Sequence, residues 1–412
     1  MSPRTLFGPY LRLFAVPGSG SFSTAAWLGR FPAPMLGLGA VLLVEGETGS
    51  YGLAGAVSGT LALAFAVAGP QWARLMDRRG QGVILRVAVT ATLLTGIAFV
   101  VAVVSGAPRW SWFLLAAATG LSSPNIGSLV RARWSAVLDP AGRQTAYAFE
   151  AVVDEVVFVL GPPLVTLLAT LIAPPVGFLT GIVLGVVGGW WLASQRDTEP
   201  PLHQADPGAP KRRRSVMTPT LLVVVVAYVA VGTVFGGLDV VVVGFAEEEG
   251  APALSGLALA VFAFGSLLAG LAYGLAKLPG TLAARFVGTA VAFGLAAQLL
   301  WSVGSLPVLV GVGFLAGLTI APVLVSGTSL VESRVAPGVL TESLAWTITG
   351  LTLGVTAGSA LAGAAVDAWG AEAAFAVPAL AAAAAGALAL AGSALIGEGR
   401  APAEVVEGRT TG

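Results

Sequence analysis

Lysine and arginine are sorted along this chain in a way that few folds allow. Of the 21 Lys and Arg residues, all but Arg30 and Arg109 lie in the N-terminal segment, in every second connection between long apolar stretches, or in the C-terminal tail. Such residues collect on the cytoplasmic side of membrane helices because carrying them across the bilayer is costly. The alternation therefore predicts membrane-spanning helices with both termini inside.

The composition agrees with a chain that is embedded in a bilayer. Hydrophobic residues make up 56% of the 412 residues and charged residues only 10%, whereas soluble domains carry about 25% charge. Glycine, with 55 residues, suits the close packing of membrane helices. The first twenty residues lack the apolar core and cleavage site of a signal peptide, so we expect the first apolar stretch to be retained.

The number of spans follows from the apolar runs. A helix needs about 20 apolar residues to cross the hydrocarbon core, and the sequence contains twelve such runs. They are predicted at 22–44, 51–72, 83–105, 110–130, 145–172, 174–194, 218–245, 253–275, 282–304, 306–330, 340–366 and 373–396. The predicted fold class is an all-α integral membrane protein with 12 transmembrane helices in two six-helix bundles.

A polar segment divides the predicted spans into six and six. Segment 196–217 is rich in proline and charge, which is typical of a flexible linker. Short Ser-Leu-Val segments end the fourth and tenth spans, at 127–133 and 328–334, and indicate parallel six-span repeats like those of secondary transporters. The predicted domains are an N-terminal bundle (1–195), a cytoplasmic linker (196–217), a C-terminal bundle (218–397) and a cytoplasmic tail (398–412).

Two short motifs carry a resemblance to a known family. The second connection reads Ala73-Arg-Leu-Met-Asp77-Arg78-Arg79-Gly80-Gln81, similar to the Gly-x-Leu-x-Asp-Arg-x-Gly signature of the major facilitator superfamily. The fifth span contains Val157-Phe-Val-Leu-Gly161-Pro162-Pro163, which resembles the Gly-x-x-x-Gly-Pro element of its antiporter branches. Over nearly its whole length the chain resembles this superfamily, nearest in pattern to the 12-span drug/proton antiporter-like branches.

Both motifs also have a physical interpretation of their own. An acid such as Asp77 can meet the positive end of a neighbouring helix, and Arg78 can bridge carboxylates between the two halves. We predict a cytoplasmic gate at Asp77, Arg78 and the turn residue Gly80, with a solvated turn as the alternative. Gly161 permits close helix approach and Pro162 removes a backbone donor, so a pivoting kink and a packing kink both stay open.

Four ionisable residues lie inside predicted spans. Arg30 is about nine residues into the first span, roughly 14 Å deep at 1.5 Å per residue. Glu150, Asp154 and Glu155 lie in the fifth span, with Asp154 at a similar depth. An unpaired charge near the centre costs about 3 kcal/mol or more. We predict that Arg30 pairs with Asp154 or Glu150 and that a remaining acid is protonated and couples transport to protons. A purely structural ion-pair cluster is the alternative.

Other polar residues give weaker expectations. Asn125 in the fourth span and Trp346 in the eleventh are candidate cavity residues, although local packing explains them equally well. Asp239 is predicted to lie near the outer surface as a solvated end of the seventh span, and attraction of cations at the outer mouth is the alternative. Cysteine is absent and His203 is the single histidine, so we expect no metal site, no cofactor and no enzyme activity.

These observations predict a secondary active transporter that works by alternating access. We expect proton-coupled efflux of small amphipathic solutes by a monomer in the lipid bilayer of a bacterial inner (plasma) membrane, with both termini cytoplasmic. A proton-coupled importer or a uniporter of a small metabolite is the alternative within this class. A transporter-like sensor or accessory membrane protein is the alternative from another class. Net charge is zero, and the sequence lacks the basic surface that nucleic-acid binding needs, so we expect no nucleic acid as a partner.

Overall fold

The computed structural model describes residues 13–201, 217–275, 279–335 and 340–397. In this part of the chain the secondary structure is helical. The first six spans are formed by helices Ser19–Gly29, Pro32–Thr48, Tyr51–Arg79, Gln81–Val104, Arg109–Ser122, Ile126–Val137, Pro140–Leu171 and Pro174–Ser194. The last six are formed by helices Pro219–Glu248, Ser255–Leu275, Leu282–Ala296, Leu306–Gly317, Ile320–Arg334, Leu340–Trp369, Ala371–Ala374 and Ala376–Ala391, with a short helix Ser393–Gly397 after them.

Twelve stretches of the described chain are long and apolar enough to cross a membrane, which confirms the predicted number. Their ends agree closely with the apolar runs: the third span is Gln81–Val104 and was predicted at 83–105. The fourth span, Arg109–Val137, extends furthest beyond its prediction. It does so because Arg131 and Arg133 lie within its last helix rather than in the connection that follows.

Helix starts follow local capping chemistry in both halves. The Asp139 carboxylate accepts a 2.8 Å hydrogen bond from the amide of Gly142, and the Thr218 hydroxyl accepts one of 3.1 Å from the amide of Leu221. Each is followed by a proline at the first helical position, where the missing N–H costs nothing. These pairs mark where the fifth and seventh spans begin on the side of the even-numbered connections.

The first and fourth spans are interrupted near their middle. In the first span, the helix stops at Gly29 and a new one starts at Pro32, which leaves Arg30 between them. In the fourth span, Ser123 is extended and precedes Pro124. A proline disfavours the helical conformation of the residue before it, because its ring clashes with that residue's backbone. The Asn125 side chain then caps the next helix. At the first interruption the chain stays hydrogen-bonded through the turn, because the amide of Arg30 donates to the carbonyl oxygen of Trp27 and the amide of Ala33 donates to that of Arg30.

The first six spans touch the last six mainly near the odd-numbered connections. A Cβ added at Gly55 in the second span would lie 2.1 Å from the backbone carbonyl oxygen of Ser359 in the eleventh. One added at Gly256 in the eighth span would lie 2.4 Å from the carbonyl oxygen of Pro162 in the fifth. Toward the other end of the second span, Gly69 has nothing within 4 Å of its Cβ position. The two sets of spans are therefore packed backbone to backbone at one membrane face.

The start of the predicted linker is bound to the first six spans. Arg133 is fully buried and donates hydrogen bonds of 2.8 Å to the carbonyl oxygen of Gln195 and 2.9 Å to the hydroxyl of Thr198. The Glu199 carboxylate accepts a 2.9 Å hydrogen bond from the amide of Gly82 at the start of the third span. Residues 196–199 are thus fixed rather than free, while 202–216 of the predicted linker and the predicted tail 398–412 lie outside the described residues.

Candidate functional site

Arg30 lies at the interruption of the first span and faces two acids of the fifth. Its Nη2 donates a hydrogen bond to Oε2 of Glu150, and its Nε lies 3.3 Å from Oδ1 of Asp154. The Arg30 and Glu150 side chains are 5% and 1% exposed. A buried charge is tolerated only when it is paired, so the structure places Arg30 and Glu150 as mutual counter-ions.

The second oxygen of Glu150 is bound by the fourth span. The indole nitrogen of Trp134 donates a 2.6 Å hydrogen bond to Oε1. The Glu150 carboxylate therefore has a partner at each oxygen, one from the first span and one from the fourth. Such a carboxylate is well placed to hold the first, fourth and fifth spans together.

Asp154 lies in a more open position one turn further along the fifth span. Arg131 donates a 2.6 Å hydrogen bond to its Oδ2, and the side chains of Arg131 and Asp154 are 35% and 33% exposed. The guanidinium of Arg30 contacts its other oxygen. Asp154 is thus shared by two arginines, and its pair with Arg131 is only partly buried.

The interruption of the fourth span lies beside this cluster. Asn125 is exposed, and its Oδ1 accepts a 3.2 Å hydrogen bond from the amide of Ser128. A Cβ added at Gly127 would lie 3.3 Å from Nη1 of Arg131, 3.4 Å from Oδ1 of Asn125 and 3.6 Å from Nε of Arg30. The structure therefore brings Asn125 next to the charged cluster, as a helix cap at its edge.

Glu155 differs from the neighbouring acids because no ion pair or hydrogen bond of its side chain is found among the described residues. It is partly buried. Pro162 is seven residues further along the same helix and therefore projects within about 20° of the same direction. The carbonyl oxygen of Pro162 contacts Gly256 of the eighth span, so Glu155 lies on the side of the fifth span that faces the last six spans.

The remaining predicted residues lie apart from the cluster. Trp346 is 42% exposed, and no described contact connects it to the charged side chains. Arg78 is exposed, and Gly80 has a φ of 92° at the junction between the second and third spans. Gly is the residue that adopts this conformation readily, so the predicted turn is present. The side chain of Asp77 lies outside the described residues, and the predicted gate therefore stays a prediction.

Gly161 and Pro162 both make close packing contacts. A Cβ at Gly161 would lie 2.6 Å from Cγ of Pro34 in the first span. Pro162 is inside the continuous helix Pro140–Leu171 and presents its carbonyl oxygen to Gly256. The pair therefore connects the first, fifth and eighth spans at one level of the molecule.

Sequence reasoning missed the contribution of the fourth span. Arg131 and Trp134 are three apart on one helix, and Glu150 and Asp154 are four apart on the next, so each pair shares a face. In two antiparallel neighbours these faces match in register, Arg131 to Asp154 and Trp134 to Glu150. The signal was present in the sequence, but the positive-inside rule explained Arg131, and no partner within the first six spans was sought for Arg131 or for Trp134.

The expectation for Asp239 was wrong. It is not a solvated helix end: it lies within the helix Pro219–Glu248, nine residues before the last one, and its side chain is partly buried. The count of apolar residues placed the end of the seventh span at 245, but the helix starts at Pro219 and continues to Glu248. No ion pair or hydrogen bond of Asp239 is found within the described chain.

An apolar groove lies apart from the charged cluster. It has a volume of about 700 Å³ and is formed by the seventh, eleventh and twelfth spans. Leu361, Leu380 and Trp369 on its rim are 57%, 60% and 69% exposed. Exposed apolar residues of this kind are expected where spans meet lipid, so the groove adds no chemistry to the site.

Comparison with known proteins identifies the family. The family model described as Major Facilitator Superfamily matches residues 23–280. No curated protein is similar enough in sequence to match. The nucleoside transporter NupG is similar in structure, with a TM-score of 0.71 at 13% identity over 91% of this chain and 99% of that chain.

Two further solved structures share the architecture. The human organic anion transporter MFSD10 (TETRAN) has a TM-score of 0.60 at 16% identity and covers 92% of this chain and 99% of its own. A bacterial homologue of the iron transporter ferroportin, in an inward-facing state, has a TM-score of 0.66 at 15% identity, with 90% and 97% covered. These identities show the fold alone. Together with the matching family model and the twelve spans, they show that the chain belongs to the Major Facilitator Superfamily and is a membrane transporter, not an enzyme.

Proposed function

We propose that this transporter couples the movement of protons to the efflux of small amphipathic solutes and that Glu155 is the residue that binds the proton. The observation that carries the proposal is the contrast between Glu155 and its neighbours. Glu150 and Asp154 are paired with Arg30 and Arg131, whereas Glu155 has no such partner in the described structure. Two arginines balance two acids, and the third acid is in excess.

The energetic argument follows from that excess charge. An unpaired carboxylate inside a span costs about 3 kcal/mol on the more lenient scale. Protonation removes this cost when the site is closed to water, and ionisation is tolerated when the cleft is hydrated. Glu155 lies on the face of the fifth span that meets the last six spans, where opening and closing change its surroundings most. This behaviour is what a coupling site needs.

The charged cluster has a supporting part in this proposal. Arg30, Glu150 and Trp134 join the first, fourth and fifth spans, while Asp154 and Arg131 lie beside the accessible space. Interrupted spans commonly supply substrate and ion sites in secondary transporters, and both interruptions flank this cluster. We propose that the cluster positions Glu155 and that solute contacts are made by Arg131 and Asp154, whose side chains are about one-third exposed.

The structure also suggests a conformational state. The two sets of spans are closed at the odd-numbered connections, which carry acids such as Glu45 and Glu47, and the basic residues lie at the opposite face. If the basic face is cytoplasmic, this is the inward-facing state of two six-span bundles, 1–195 and 218–397, joined by the cytoplasmic linker 196–217. We propose a monomer in the plasma membrane with both termini cytoplasmic.

Asp239 supports a second candidate for the proton site. Apart from Glu247 and Glu248 at the end of the helix, it is the one acid of the seventh span. Like Glu155, it has no ion pair or hydrogen bond within the described chain. Coupling through Asp239 would place the proton in the last six spans. The same geometry is compatible with proton-coupled import, since neither acid determines the direction of solute movement.

The test begins with a search for a solute. Purified protein is screened by thermal shift with amphipathic amines, nucleosides, peptides and organic anions, because a ligand of the folded state raises its apparent stability. The best compound is then used in proteoliposomes that contain an internal pH dye. We expect uptake of this compound into the vesicles to be accompanied by proton movement in the opposite direction.

The variants then assign the proton. Glu155→Gln is expected to abolish proton movement and accumulation while solute exchange continues, and Asp239→Asn is expected to leave both unchanged. Glu47→Gln, at an exposed acid of the first odd-numbered connection, is the control. Full proton coupling in Glu155→Gln would refute the assignment, and loss of coupling in Asp239→Asn alone would move it to the second candidate.

A further inference from the structure

Asp367 at the end of the eleventh span caps a helix of the other half of the molecule. Its Oδ1 accepts a 2.8 Å hydrogen bond from the amide of Tyr51, and its Oδ2 accepts one of 2.8 Å from the amide of Gly52. The hydroxyl of Ser50 donates a further hydrogen bond of 2.9 Å to Oδ2. Three donors at the start of the second span therefore share one carboxylate from the last six spans.

This arrangement satisfies groups that the second span cannot satisfy alone. The first amides of a helix have no acceptor within the helix, and the helix dipole favours a negative charge at this end. Ser50 is the local cap, because its hydroxyl accepts a hydrogen bond from the amide of Leu53. Asp367 supplies acceptors for the two amides that Ser50 does not reach.

The cap is possible because the two helices approach without side chains between them. A Cβ added at Gly52 would lie 2.8 Å from Oδ2 of Asp367, and one added at Gly363 would lie 2.2 Å from the carbonyl oxygen of Tyr51. A second contact crosses the halves nearby, from the hydroxyl of Tyr51 to the carboxylate of Glu247 in the seventh span. The start of the second span is thus held by acids from two spans of the other half.

We propose that Asp367 is a positioning residue that holds this face closed and so sets the ratio of the two access states. When the halves separate here, the amides of Tyr51 and Gly52 lose their acceptor and the carboxylate turns to water. The cap therefore favours the state in which this face is closed over the state in which it is open, and such a difference shifts the conformational equilibrium. The proposal goes beyond the coupling assignment, because it needs neither the identity of the solute nor that of the proton site.

The natural absence of cysteine makes the test direct. Thr166 is buried in the fifth span, where its hydroxyl oxygen would lie 2.7 Å from a Cβ at Gly256 of the eighth. A single introduced thiol, Thr166→Cys, reports separation of the halves at a contact other than the cap. Its reaction with a membrane-impermeant maleimide, added on the side of the odd-numbered connections, is measured in vesicles that contain the full chain.

We expect Asp367→Ala, made in the Thr166→Cys background, to raise the labelling rate about tenfold, the change that corresponds to 1.4 kcal/mol in an equilibrium constant. Such a value is within the range for removing a helix cap. Asp367→Asn keeps one acceptor oxygen and the size of the side chain, and is expected to give a smaller rise. Gly69→Ala, in open space of the same second span, is the matched control and is expected to change nothing.

A separate reporter distinguishes separation of the halves from loss of structure. Ser326→Cys introduces a thiol at a buried position in the tenth span, where the native hydroxyl contacts Thr289 of the ninth, within one half. Labelling that rises in the Thr166→Cys background and not in the Ser326→Cys background supports the proposal. A labelling rate that Asp367→Ala leaves unchanged in the Thr166→Cys background overturns it, and so does a rise in both backgrounds. If Asp367→Ala does not fold, the same criteria are applied to Asp367→Asn.

Discussion

The indole nitrogen of Trp134 donates a 2.6 Å hydrogen bond to the carboxylate of Glu150 across the fourth and fifth spans. The neighbouring pair, Arg131 and Asp154, is joined at the same distance by a guanidinium nitrogen and a carboxylate oxygen. The two pairs lie in antiparallel register on one helix contact. They differ in accessibility, since Glu150 is buried and Asp154 is one-third exposed. Substitutions at the buried pair are therefore expected to lower stability more than substitutions at the exposed pair.

Replacing Trp134 by phenylalanine should destabilise the fold through Glu150. The ring keeps most of the packing, but one oxygen of a buried carboxylate loses its donor, which costs about 1–3 kcal/mol. We expect a lower melting temperature in detergent. It is measured by size-exclusion chromatography of samples that have been heated to increasing temperatures. Trp190→Phe is the matched control, because that indole is 46% exposed and donates to the Thr90 hydroxyl. Equal shifts in the two variants would contradict this role of Trp134.

Replacing Arg30 by methionine should cost considerably more. Glu150 would be left buried without a counter-ion, and breaking a buried pair by removing one partner typically costs about 3–5 kcal/mol. We expect the melting temperature or the yield of folded protein to fall strongly. The double variant Arg30→Met with Glu150→Gln should recover part of the loss, because the orphaned charge is gone. Arg109→Met, at an exposed arginine, provides the comparison, and a double variant no better than Arg30→Met would argue against the pairing.

Replacing Arg131 by glutamine should have a much smaller effect on stability. The pair with Asp154 is exposed to about one third on both sides, and exposed ion pairs contribute at most about 1 kcal/mol. Asp154 also keeps its contact with Arg30. We expect a melting temperature close to that of the parent protein, measured beside Arg30→Met. A loss as large as that of Arg30→Met would mean that the pair with Arg131 is structural.

Much of this site could be predicted from the sorted charges. Arg30 lies inside a span, where the positive-inside rule does not account for a basic residue, and its predicted depth matched that of Asp154. The interruptions are also readable locally, because Pro32 and Pro124 stop the preceding helices. The matching faces of the fourth and fifth spans were readable in principle but had a simpler explanation at hand.

Other features depend on how the halves meet, which no local pattern encodes. The glycines of the second span could be assigned to close packing, but not to a partner. In the sequence, Asp367 is one of several acids near an odd-numbered connection. Only the folded chain shows that its carboxylate contacts the amides at the start of the second span. The burial of Asp239 was misjudged for a related reason: an apolar run has no intrinsic end when the helix continues through acids such as Glu247, and the span extends nine residues beyond Asp239.

Two glycines of the second span should respond in opposite ways to the same substitution. Gly55→Ala would place a Cβ 2.1 Å from the backbone carbonyl oxygen of Ser359, so the helices must move apart, and overpacking of this kind costs about 1–3 kcal/mol. Gly69→Ala meets open space and should be neutral or stabilising, since alanine is favoured over glycine inside a helix by about 0.5–1 kcal/mol. Melting temperatures of both variants check the contrast. Because both changes add one methyl group to one helix, a fall of similar size in both would mean that the close contact between the second and eleventh spans does not limit the packing.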